Sequence, residues 1–261
     1  MNPPRAAAGT SWLAVHAEWT KLRTAPGTVW LLLAAAAATV AVGAAAATTT
    51  CPAADCGIDP AKVSLTGIQL GQAVIAVLAV LAIGAEYGTG MVQTTFTAMP
   101  RRAGVLAAKA AVLTAAVTVT GAVAALGSLL AGRFILPGRG APPLSLVDGP
   151  VLRAGAGSVL YLALIALLSL GVGTAARNPA TAIGVVLGLL YVLPVITEAV
   201  SDPDLQRHLQ QLAPMTAGLA VVATTGLDRP PIGPWAGLGV LAGWAAAALV
   251  VGGLLLRLRD A

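Results

Sequence analysis

The chain of 261 residues is short of charge, aromatic bulk, cysteine and histidine. Only 10% of its residues are charged, against about 25% in a soluble domain. With 57% hydrophobic residues and a mean hydropathy of +0.87, the polar surface is too small to cover a body in water. The main solvent is therefore lipid. Aromatics make up 4%, so bulk comes from aliphatic side chains and close contact from Ala and Gly, which let helix backbones approach in a bilayer. No G-x-x-x-x-G-K-[ST] run is present, which excludes that route to a nucleotide phosphate. His16 and His208 fall on opposite sides of the span pattern given below, and no carboxylate pair, Ser–His arrangement or metal-ligand cluster stands out. The chain is not expected to be an enzyme or to hold a metal. Its pI of 9.8 is read as membrane orientation, not as nucleic-acid binding.

What the chain has is long apolar runs. A bilayer helix needs about 20 mostly apolar residues, and six segments qualify: Thr28–Ala47, Gly67–Ala85, Gly104–Gly132, Val151–Ala176, Pro179–Thr197 and Gly233–Leu256. The expected fold is all-α and polytopic. Residues 1–27 form an N-terminal segment with an amphipathic helix, 28–256 the six-helix domain with a polar hairpin at 86–103, and 257–261 a tail. Arg177-Asn178-Pro179 is read as a tight turn, with Asn178 capping and Pro179 starting the next helix. Nine Lys and Arg fall on the side of both termini and six on the other, while seven of ten acids fall on the second side. The positive-inside rule then places both termini in the cytoplasm of a plasma-membrane protein. No cleavable signal peptide is expected, and Thr50 before Cys51 makes a poor lipoprotein site. Cys51 and Cys56 share the first outer loop, where a disulfide and two unpaired thiols are both open.

Ionisable residues are missing from the middle of the spans: Lys109, Arg153 and Glu198 all lie towards helix ends. Ion-driven carriers need such groups at depth, so the energy for any transport is expected from elsewhere. In "SWLAVHAEWTKLRT" Trp12, Val15, Trp19 and Leu22 recur at helical spacing, with His16, Glu18, Thr20, Lys21 and Arg23 filling the rest, before Pro26-Gly27 breaks the helix. That pattern fits a helix lying in the membrane interface, as a simple anchor or as a contact for a cytoplasmic partner. Helix–helix seams are expected along Ala107, Ala111, Thr114, Thr118, Gly121, Ala125 and Ser128, and at Gly239-x-x-x-Gly243. Pro194 is expected to kink the fifth span, and Gln69 and Gln72 to bond to a neighbouring helix or line a polar path.

The polar interruption "GAEYGTGMVQTTFTAMPRR", Gly84 to Arg102, is too long for a tight turn and contains a short helical run ended by Pro100. Met91, Val92, Phe96 and Met99 would be wasted on a solvated loop, so the hairpin is read as presenting a helix to a partner.

Three stretches carry a family likeness: "HAEWTKLRT", "AEYGTGMVQTTFTAMPRR" followed by "VLAAKAAV", and "LLLRLRDA". Together they resemble type-2 permease subunits of ATP-binding cassette exporters, above all the small actinobacterial-type members. The resemblance implies a six-helix permease that pairs with a second copy or a paralogue. It also implies a coupling element made by Glu86, Gly88, Thr89, Gly90, Phe96, Pro100 and Arg101, flanked by the interfacial helix with Trp12, Trp19, Lys21 and Arg23. Gln93 departs from the family, whose members often carry Arg there. The implied partners are a cytoplasmic ABC ATPase, which would hold the ATP and Mg that this chain does not bind, a second permease and membrane lipid. The expected function is export of a hydrophobic or amphiphilic substrate; an ATP-independent carrier and a non-transporting scaffold or sensor subunit are the alternatives.

Overall fold

The computed structural model describes residues 4–49, 58–88, 102–139, 144–227 and 231–258. Among them there is no strand, and six helices are long and apolar enough to cross a membrane. The elements are α1 (Pro4–Thr24), α2 (Pro26–Thr49), α3 (Pro60–Ser64), α4 (Ile68–Gly88), α5 (Arg102–Ile135) and α6 (Gly149–Ala176). After them come α7 (Pro179–Leu187), a π-helical turn (Gly188–Val192), α8 (Leu193–Glu198), α9 (Pro203–Leu212), α10 (Pro214–Leu219) and α11 (Pro234–Leu258). The candidate spans are Pro26–Thr49, Ile68–Ala85, Gly104–Gly138, Gly149–Ala176, Pro179–Glu198 and Pro234–Leu256. These bounds agree with the sequence reading to within a few residues, except where the third span runs six residues further.

Helix α6 is the axis of the molecule. It is the most buried span and packs on α4, α5, α7 and α11. Small residues make that possible. A Cβ on Gly171 would stand 2.5 Å from the backbone carbon of Ala248, so α6 and α11 meet backbone to backbone. The peripheral α2 buries only the four-residue stripe Ala35, Thr39, Gly43 and Ala47. Against that stripe Gly67 sits so close that a Cβ would fall 1.9 Å from the Thr39 carbonyl oxygen.

The expected turn after α6 is present: Arg177 adopts the left-handed conformation (φ 57°) and the Asn178 side chain accepts from Thr181 N–H at 3.1 Å. Gly84 abuts Pro179, and Gly253 abuts Leu106. One face of the bundle therefore gathers α1, the ends of α4 and α5, the 177–179 turn and the end of α11. The opposite face carries α3, the segment before α6, and α9 to α10.

Two expectations need correction. Gly239 and Gly243 are exposed, with open space where a Cβ would point. The seam of α11 is built instead from Leu241, Ala245, Ala248 and Gly252, because these face α6. On α5 the expected face is buried only from Gly121 to Ser128; Ala107, Ala111 and Thr118 are exposed, and Ala108, Val112 and Val117 take their place. At Pro194 the helix adjusts upstream, through a π turn in which Leu193 N–H bonds the Gly188 carbonyl. A wider turn of this kind accommodates a proline that has no N–H to give.

Candidate functional site

The N-terminal helix brings its one acid to the base of the third span. Along α1, Ala14 and Glu18 lie on one face and are each 5% exposed. Four residues make about one helical turn, so both point the same way. That face packs on α5, and the Glu18 carboxylate meets Lys109 there at 2.6 Å. Lys109 is likewise 5% exposed, although five residues into a span. Its ammonium also donates to the Ala82 carbonyl of α4 at 3.1 Å, and Lys21 donates to the other Glu18 oxygen at 2.9 Å. One carboxylate and one ammonium thus tie three helices together. In a low-dielectric site, breaking such a pair from one side costs about 3–5 kcal/mol.

Trp12 and Trp19 lie on the outward side of α1, 69% and 45% exposed. The expected division of this helix is therefore half right. The tryptophans form an outer stripe fit for an interface, but Glu18 belongs to the packed face, not to the solvated one. Arg23 is exposed, and Lys21 edges a cavity of about 440 Å³ enclosed by α1, α2, α4 and α5. Of the expected coupling residues, Glu86 and Gly88 fall in the last turn of α4. Thr89, Gly90, Phe96, Pro100 and Arg101 lie outside the described residues, as do Gln93, Cys51 and Cys56. Lys109 follows the start of α5 at Arg102 by seven residues, or about 10 Å. Sequence reasoning passed over the Glu18–Lys109 pair. The signal was present: Glu18 is the only acid before Asp55, and Lys109 is the only charge between Arg102 and Arg133.

The opposite face is held differently. Asp59 caps α3 through Lys62 N–H at 3.1 Å and reaches the far end of the chain. There it accepts from Thr224 N–H at 2.5 Å, Thr224 Oγ1 at 2.6 Å and Thr225 N–H at 3.0 Å. Burial pushes its pKa up, but the bonds from Thr224, Lys62 and Thr225 outweigh that and hold it below the ordinary value of 3.8. Arg153 donates to the Ala223 carbonyl at 2.6 Å. The connection between the last two spans is thus pinned down. Ala213, Ala217, Val221 and Val222 are buried between α6 and α11. Beneath them Tyr161 donates to Gln72, whose amide meets Met215 Sδ at 3.3 Å, while Tyr191 donates to the Gln69 carbonyl. Gln72 therefore bonds to a neighbouring helix, the first of the two roles open to it.

Between α6, the π turn and α11 lies an open groove of about 830 Å³, lined almost wholly by apolar side chains such as Leu168 and the exposed Val192, Trp244 and Val251. Compared with family models and with curated proteins, the chain matches none of them.

Proposed function

We propose that this chain is the permease subunit of an ATP-binding cassette exporter, moving a hydrophobic or amphiphilic substrate across the plasma membrane with energy from a separate ATPase. The observation that carries the reading is the Glu18–Lys109 pair. It fixes the N-terminal helix to the foot of α5, beside the place where the hairpin 86–103 leaves and re-enters the bundle. A force applied to that hairpin from the cytoplasm would be transmitted to α4, α5 and α1 together, and not absorbed by a loose terminus. ATP binding would close the ATPase pair, press on the hairpins of two permeases and tilt the spans between two states. Two further features support the reading. Among the described residues, no Asp, Glu, Lys, Arg or His sits at mid-depth in a span to couple an ion gradient. The apolar 830 Å³ groove suits an apolar cargo better than a hydrophilic one.

Phe96→Asp is the test. A charge on the docking face of the hairpin should cost several kcal/mol on desolvation, enough to release a partner held at micromolar strength by about 8 kcal/mol. The expected result is normal membrane insertion with loss of the ATPase from pull-downs and loss of transport. Gln93→Asp, about one turn away, is the control. Retention of both partner and transport by Phe96→Asp would refute the coupling role.

A further inference from the structure

The cavity beside the ion pair is made of two chemistries. At one end stand Glu18, Lys21 and Lys109, together with the start of α2 at Gly27 and Thr28. At the other stand Leu31, Leu78 and Leu113. The polar end lies where α1 hands over to α2, at the level of the exposed tryptophan stripe. The apolar end reaches Leu78, seven residues along α4 from Ala85, or about 10 Å into the span. A wholly apolar guest would press hydrocarbon against two buried charges, which is costly. A small ion would leave the leucine walls empty. A molecule with a charged head and a hydrocarbon tail matches both ends, and the bilayer around the protein consists of such molecules.

The geometry points to this cavity as the seat of one membrane phospholipid, with its phosphodiester at the partly exposed Lys21 ammonium, beside the Glu18–Lys109 pair, and one acyl chain among Leu31, Leu78 and Leu113. Ammonium groups favour phosphate oxygens, and Gly27 has open space where a side chain would stand. The occupant would touch α1, α2, α4 and α5 at once. It would therefore report membrane composition to the helices that the Glu18–Lys109 pair joins.

The site needs no ATPase to form, so the purified full chain is tested alone. The chain is stripped of lipid in detergent and offered mixed micelles containing dioleoylphosphatidylglycerol or dioleoylphosphatidylethanolamine. Native mass spectrometry then counts the lipid retained per chain. One bound phospholipid is expected, with retention reduced about tenfold or more in Leu81→Trp, which narrows the cavity, and in Lys21→Met, which removes the ammonium at the phosphate. Leu81 is exposed on α4, so Leu81→Trp decides the matter if Lys21→Met does not fold. Val119→Trp, exposed on α5 away from the cavity, should retain lipid as the parent does. Equal retention of the two lipids assigns the shared phosphodiester as the recognised group, and retention of dioleoylphosphatidylglycerol alone assigns the net anionic headgroup. Absence of bound lipid in the parent, or retention unchanged by both cavity variants, overturns the site.

Discussion

The two faces of this bundle are closed by different kinds of bond. On the α1 face a buried ion pair joins helices at 2.6 Å. On the α3 face a carboxylate spreads its charge over three N–H groups and a hydroxyl, and Tyr161 and Gln72 add neutral bonds below it. A buried ion pair in low dielectric is strong only while both partners stay, so a small displacement between Glu18 and Lys109 changes much. A carboxylate with four donors degrades one bond at a time. The first arrangement suits an end that must respond to a push, and the second an end that must stay shut.

The largest effect is expected on the α1 face. Glu18→Ala leaves Lys109 buried without this partner and should cost about 3–5 kcal/mol, whereas Glu18→Gln/Lys109→Met should recover much of the loss. Thermal unfolding in detergent measures both. If the single variant unfolds with the parent, the pair does not hold this face.

A smaller effect is expected across the membrane. Asp59→Asn weakens the grip on Thr224 and Thr225 and should cost about 1–2 kcal/mol. Because the folded Asp59 titrates below 3.8, its contribution is fully present above that value and disappears as pH falls through the lower folded one. Unfolding followed between pH 6 and pH 3 should show the parent losing stability at the acid end of that range, with Asp59→Asn losing less. Parallel curves would remove Asp59 from the account.

Tyr161→Phe strands the Gln72 carbonyl in the bundle and should cost about 1 kcal/mol, in keeping with hydrogen bonds between membrane helices. A shift in the unfolding midpoint with no change in topology is the expected readout. Smallest of all, Gly239→Leu points into open space and should stay within about 0.5 kcal/mol of the parent.

The spans were legible because hydrocarbon imposes length and composition directly: the fifth, read as Pro179 to Thr197, differs by one residue from the helix observed. Facing was less legible. Gly239 and Gly243 have the spacing of a seam yet face outward, since every side of a lipid-bathed helix is apolar and periodicity loses its meaning. The Glu18–Lys109 pair joins residues 91 positions apart, and no local pattern announces such a contact; only the isolation of each charge hinted at it. The buried stretch Ala213–Ala223 escaped because its small apolar residues read equally well as a loop or as a fragment of a span.

The clasp between Asp59 and Thr224 also sets a timetable. Its two halves are 165 residues apart in the chain, so at about 5–20 residues per second the first waits roughly 10–30 s for the second to be made. Only the first span precedes Asp59; spans two to five are made during that interval, and residues 213–223 come at its end to fill the seat beside α6. Closure cannot come before Thr224 and Thr225 have been made. A nascent chain stalled before Thr224 would therefore present an open Asp59, which the finished protein does not.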